Sequence, residues 1–143
     1  MTSAEIAVGV DFVDIAGVVR SVQRFGDRYL HRVFTEHEIS SCQGPLPVAA
    51  ASLAARFAAK EATLKLLGRT RRRPEWRSIE VVRLPTGVCR LRLRGAAARL
   101  ALEQGLGPFS LSMAHEAGMA AAVVVSGSAY GWHRPMTMES RDS

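Results

Sequence analysis

Val48-Ala-Ala-Ala-Ser-Leu-Ala-Ala-Arg-Phe-Ala-Ala-Lys-Glu-Ala-Thr-Leu-Lys-Leu-Leu67 is the stretch on which the fold turns. Alanine and leucine are the strongest helix formers, so the run predicts one long helix over 48–67. Pro47 suits its start, where the missing N–H costs nothing, and Gly68 supplies its stop. Within the helix Phe57, Glu61 and Lys65 are four residues apart and share a face. An exposed Glu–Lys pair at that spacing is common and stabilises a helix by only about 0.2–0.5 kcal/mol. Here Leu53, Leu64 and Gly68 make the same face apolar. A half-buried carboxylate beside a lysine is fit to hold a divalent cation and a pyrophosphate.

On the N-terminal side, residues 5–12 alternate, with Ile6, Val8, Val10 and Phe12 on one face and Ala7, Gly9 and Asp11 on the other. That is a strand. From Asp14 the period becomes helical, with Ile15, Val18, Val19, Val22 and Phe25 on the buried side and Gly26 closing the run. A short helix over 27–33 follows. Thr35-Glu-His-Glu38 has capping-box spacing and starts another over 36–42. Gly44-Pro-Leu-Pro47 breaks the chain before the long helix.

On the C-terminal side, Arg69-Thr-Arg-Arg-Arg-Pro-Glu75 is a basic loop. Residues 79–84 and 88–93 read as a hairpin around Pro85-Thr-Gly87, 96–104 as a helix ended by Gly105, and 109–114 and 119–126 as strands joined at Ala117-Gly118. The polar, unpatterned stretch 127–143 is expected to be disordered. The expectation is one α+β domain, residues 1–126, with an antiparallel sheet packed on a long central helix.

Composition narrows the function classes. The chain has 143 residues, 48% of them hydrophobic, enough for one compact core. No apolar run is long enough to span a bilayer, and the N-terminus lacks the basic-then-apolar pattern of a signal peptide. Cys42 and Cys89 are too few for a disulfide framework. A cytoplasmic setting without a membrane partner fits these features. The formal charge of +6 favours anionic partners. Of 19 basic residues only Lys60 and Lys65 are lysine, and they flank Glu61, where a compact ammonium differs from a planar guanidinium.

Two further constellations carry polar groups. Asp11 in Gly9-Val-Asp11 stands on a small-residue strand face, where a carboxylate needs a cation or an ion-pair partner unless the edge is solvated. Ser112-Met-Ala-His115-Glu116 leaves a late strand, where a lone histidine is more often structural than functional.

In order, Gly9-Val-Asp11 with Asp14-Ile, Arg32-Val-Phe-Thr35, Ala55-Arg-Phe-Ala-Ala-Lys-Glu-Ala-x-x-Lys65 and Ser112-x-x-His115 before an Ala/Val strand resemble the holo-acyl-carrier-protein synthase family of 4′-phosphopantetheinyl transferases. The resemblance runs from about Val8 to Val125, and residues 55–65 are its most specific element. It implies transfer of the phosphopantetheine arm of coenzyme A to a serine of an acidic acyl carrier protein, releasing adenosine 3′,5′-bisphosphate. It also implies that Asp11 and Glu61 hold Mg²⁺, that Lys65 contacts the pyrophosphate with Lys60 helping, and that Arg56 and His115 lie near the ribose phosphate. The serine proton falls to Glu61 or to water on the metal, and both stay open. The implied assembly is a homotrimer, with sites formed by one chain's first strand and another chain's long helix.

This sequence departs from the family at Gly17, usually an arginine facing the carrier, at the basic loop 69–75 in place of a glycine-threonine-glycine turn, and at Ala114 and Cys89. Without an arginine at 17, carrier docking is expected to rest on Arg20, Arg24 and Arg28, spaced four apart after Asp14. An inactive carrier-binding module is the alternative, and the retained carboxylates and Lys65 weigh against it. Nucleic acid is the lesser alternative, suggested by the basic loop beside Trp76.

Overall fold

A computed structural model describes residues 6–68 and 72–128. Strand β1 (Ile6–Asp14) is followed by helices α1 (Ile15–Phe25), α2 (Asp27–Val33), α3 (Glu36–Ser41) and α4 (Leu46–Leu67). A 3₁₀ turn at Trp76–Ser78 leads into β2 (Ile79–Arg83) and β3 (Cys89–Leu93), then α5 (Gly95–Glu103), β4 (Leu106–Glu116) and β5 (Met119–Ser128). The strands form two antiparallel sheets, β1-β5-β4 and the separate hairpin β2-β3. The α+β expectation holds, with the hairpin standing apart from the main sheet. Strand β5 runs two residues past the expected domain end at 126, and 129–143, where disorder was expected, lie outside the described residues.

Helix α4 is apolar on nearly all sides because it is sandwiched, one flank on the three-stranded sheet and the other against α1, α3 and the hairpin. Small side chains let it come close. Ala120 and Ala122 of β5 and Ala54, Ala58 and Ala62 of α4 are buried at the contact. The closest approach is at Gly9, where a Cβ atom would lie 2.0 Å from the Ala62 carbonyl oxygen. The small face of β1 therefore turns inward. Its large apolar face, Ile6, Val8, Val10 and Phe12, is exposed, as is Val123 opposite Val10 on β5. Phe25, expected in the α1 core stripe, is also exposed, since Gly26 turns the chain before α1 can pack its last side chain.

The capping box at Thr35 and Glu38 forms as expected and does more than start α3. Glu38 is fully buried; its carboxylate accepts from Thr35 N at 2.9 Å, from Val81 N at 2.7 Å and from Lys60 Nζ at 2.8 Å. Lys60, also buried, donates to the carbonyls of Trp76 and Ile79 as well. Burial lowers the Lys60 pKa and the Glu38 charge opposes that shift. Thr35 Oγ1 passes the network on to Glu80 Oε2 at 2.6 Å. One ion pair thus ties α3, α4, the 3₁₀ turn and β2 together. Both cysteines are free, and burial pushes the Cys42 thiol up to about 11, well outside the reactive range.

Removing one member of this pair strands a buried charge. Lys60→Met should lower the unfolding free energy by about 3–5 kcal/mol, and adding Glu38→Gln should cost less than the sum of the two single changes. Urea unfolding followed by circular dichroism measures both, and a Lys60→Met loss below about 1 kcal/mol would contradict the role given to the pair.

Candidate active site

The Gly9 crossing sets what faces what. Two residues beyond it on the inward face of β1, Asp11 meets α4 one turn past Ala62, and Lys65 Nζ donates to Asp11 Oδ1 at 2.7 Å and to the Val10 carbonyl at 3.1 Å. Glu61 lies one helical turn before Lys65 on the same face, a spacing of about 6 Å between Cβ atoms. Asp11 and Glu61 thus both lie near Lys65, one paired with its ammonium and the other a helical turn before it on α4. Glu61 Oε2 accepts from Arg73 Nη2 at 2.8 Å. The side chains of Asp11 and Glu61 are 19% and 26% exposed and their cations more than half exposed, so the acids are sunk and the bases form the rim.

Glu61, Lys65 and Arg73 line a cavity of about 520 Å³ floored by Leu64, Leu67 and Leu100. Helix α5 supplies Leu100 and also secures the end of α4, where Gln104 Nε2 donates to the Leu67 carbonyl at 2.6 Å. The site joins an apolar floor to an ionic rim, a combination suited to a phosphorylated ligand with an apolar part. Among the described residues no group of three or more His, Cys, Asp or Glu is placed to hold a metal. Asp11 and Glu61 instead offer carboxylate oxygens alone, the donor set of a hard cation that keeps positions for water and phosphate.

Other expected residues fall elsewhere. Lys60 faces the core: its donors go to Glu38 and the carbonyls of Trp76 and Ile79. Arg56, nine residues before Lys65, points to the opposite side of α4, about 180° away. It is buried, donates to the Ser52 carbonyl at 3.1 Å, and leaves its Nε without a partner. His115 is exposed at the end of β4, across β5 from Val13, about 10 Å across the sheet from β1. Neither is brought to the Asp11–Glu61–Lys65 cluster. Within one chain the first strand already brings Asp11 to Lys65 of the long helix.

Arg20 and Arg24 are exposed on α1, Arg20 lying 3.7 Å from Asp14, but Arg28 sits on α2 beyond the Gly26 bend, so the three are not one helical stripe. Gly17 has room for a side chain: a Cβ there would meet nothing nearer than Arg20 Nη2 at 3.6 Å. Trp76 is not free to stack on a base. Its ring packs on Phe57 at 5.0 Å and carries the Arg73 guanidinium at 4.6 Å, which removes the main support for a nucleic-acid contact. Arg73, which lines the Glu61 pocket, was signalled by the sequence only as one arginine among several in a loop.

Residues 7–123 match the family model of the 4′-phosphopantetheinyl transferase superfamily. Over 125 residues the chain is 40% identical to a holo-[acyl-carrier-protein] synthase of Moorella thermoacetica, a match covering 87% of this chain and 96% of that one. It is similar in structure to the ACPS–CoA complex of Chronobacterium ammoniagenes, with a TM-score of 0.75, 30% identity, and 87% and 98% of the two chains covered. It is also similar to the Helicobacter pylori holo-[acyl-carrier-protein] synthase in complex with coenzyme A, with a TM-score of 0.71, 29% identity, and 83% and 98% covered.

The cations of the Asp11–Lys65 and Glu61–Arg73 pairs are more than half exposed, so the pairs contribute little to folding. Asp11→Asn and Lys65→Ala should each shift the unfolding free energy by less than about 1 kcal/mol, while Gly9→Ala, which drives a Cβ into the α4 backbone, should cost several-fold more. Thermal unfolding of the three variants side by side checks the contrast, and a Gly9→Ala protein as stable as the parent would contradict the close crossing.

Proposed function

This chain belongs to the 4′-phosphopantetheinyl transferase superfamily, and from that membership we propose how its residues carry out its reaction, the transfer of the 4′-phosphopantetheine group of coenzyme A to a serine of an acyl carrier protein. The observation that carries the proposal is Asp11 on Lys65 at 2.7 Å, with Glu61 one turn away on the wall of the leucine-floored cavity.

The serine oxygen attacks the β-phosphorus of coenzyme A, the bond from that phosphorus to the bridging oxygen breaks, and adenosine 3′,5′-bisphosphate leaves with the electron pair. Catalysis of such a step is positioning and charge neutralisation. Lys65, fixed by α4 and oriented by Asp11, brings its ammonium to the leaving phosphate. Glu61 accepts the proton of the attacking serine. Leu64, Leu67 and Leu100 keep water from the reacting groups. Asp11 and Glu61 are the residues that would hold Mg²⁺, and their oxygen-only, half-sunk donor set fits it. When bound, it supplies positive charge to the pyrophosphate oxygens.

Three parts of the account concern assembly, setting and docking. The exposed face of β1, with Ile6 67% and Phe12 64% accessible and continued by Val123, supports a homotrimer in which these faces meet around a shared axis. Arg56, with its unpartnered buried Nε, and His115 are proposed to contact the ribose phosphate of a coenzyme A held against an adjacent chain. No helix of the described residues is long and apolar enough to cross a membrane, and the proposed setting is cytoplasmic. An acidic carrier is proposed to dock on the exposed Arg20 and Arg24 of α1, with Arg28 of α2 as a further basic contact.

Incubation with coenzyme A, Mg²⁺ and an apo carrier protein should add about 340 Da to the carrier by intact mass, the arm expected from the transfer chemistry. Chelation by EDTA should stop transfer and Mg²⁺ should restore it. Asp11→Ala and Glu61→Ala should abolish transfer in folded protein, and Lys65→Ala should slow turnover by about a hundredfold. A folded Glu61→Ala protein with near-parental turnover would overturn the assignment of the site. By light scattering, the parent should be a trimer and Phe12→Glu a monomer; a fully active parental monomer would remove the trimer proposal.

A further inference from the structure

The loop after α4 returns an arginine to the pocket. Arg73 Nη2 donates to Glu61 Oε2 at 2.8 Å, and the guanidinium lies 4.6 Å from the Trp76 ring centroid, that ring in turn packed 5.0 Å from Phe57. Arg73 is therefore held by charge and by stacking on the same α4 face that presents Glu61 and Lys65. It also forms the wall between the pocket and a neighbouring groove of about 820 Å³ whose lining includes Arg77, Arg94 and Arg99.

The two carboxylates thus each have a protein cation, Lys65 for Asp11 and Arg73 for Glu61. A divalent cation taken up by Glu61 competes with Arg73 for the same lone pairs and repels it. The Arg73 side chain is more than half exposed, so its pair is weak and easily exchanged. The planar fork of a guanidinium suits two phosphate oxygens as well as it suits a carboxylate. Stacking on Trp76 keeps that fork at the pocket mouth when the carboxylate lets go.

We infer that Arg73 is a positioning residue that changes partners: it neutralises Glu61 in the metal-free pocket and turns to the pyrophosphate of the donor once Glu61 holds a divalent cation. The inference rests on the metal and donor assignments above. It gives Arg73 a working role in the loop that stands where the resemblance has a glycine-threonine-glycine turn. It also predicts effects of opposite sign from one substitution, which a purely structural arginine does not produce.

The test is Arg73→Gln. With Mn²⁺ as the probe and no coenzyme A present, titration followed by electron paramagnetic resonance should show metal binding about two- to fivefold tighter than in the parent, because the competing cation is gone. With Mg²⁺ present, calorimetry should show coenzyme A binding about five- to tenfold weaker. Unchanged or weaker Mn²⁺ binding, or unchanged coenzyme A binding, overturns the inference. If Arg73→Gln does not fold, the Arg73 Nε–H resonance of the parent decides: it should shift on adding Mg²⁺ alone and shift again with coenzyme A, and a resonance that stays still overturns the exchange. Glu61→Gln separates the two levels of the account. Parental Mn²⁺ binding that survives Glu61→Gln removes the metal site itself, whereas binding lost in Glu61→Gln but unaffected by Arg73→Gln removes only the exchange.

Discussion

The crossing of β1 over α4 at Gly9 is the constraint from which the site follows. A Cβ atom at that position would lie 2.0 Å from the Ala62 carbonyl oxygen, so no other residue lets strand and helix meet at this distance. Because the strand repeats every two residues and the helix every 3.6, one fixed contact sets the register of both. Asp11 then falls beside Lys65, and Glu61 one turn back, with no freedom left to slide. The alanines of α4 and β5 have the same cause: they are the sheet and helix surfaces that allow so close an approach.

The helix that carries the site is anchored from its other side. Lys60 and Lys65 are five residues apart, about 140° around the helix, and that angle divides their work. Lys60 is sealed into the core against Glu38 and two carbonyls, holding α3 and the hairpin to α4. Lys65 stands at the rim of the cavity with Asp11. A buried ion pair is weak evidence of net stability, but it demands one geometry, and a helix so fixed can present Glu61 and Lys65 at defined places.

Much of this was legible in the sequence. The long helix, the capping box, the hairpin and the α+β class follow from alanine content, Thr35-x-x-Glu38 spacing and Gly/Pro punctuation, all local signals. The order of motifs also marked Asp11, Glu61 and Lys65. What stayed hidden depended on which side of an element faces the core. The alternation of Ile6, Val8, Val10 and Phe12 marks one strand face without saying which face packs, and that face is exposed because the Gly9 side approaches α4. Lys60 sits beside Glu61 in sequence and points away from it in space. Arg73 could not be told from its neighbours until Trp76 and Glu61 were seen on either side of it.

The central proposal is that Asp11 and Glu61, both beside Lys65, hold a divalent cation against the donor's pyrophosphate. The most direct measurement is anomalous diffraction from crystals grown with Mn²⁺ and coenzyme A. The account predicts one strong peak in contact with carboxylate oxygens of both Asp11 and Glu61 and beside the pyrophosphate. A peak bound elsewhere, or coenzyme A seated with its pyrophosphate away from Lys65, would contradict it.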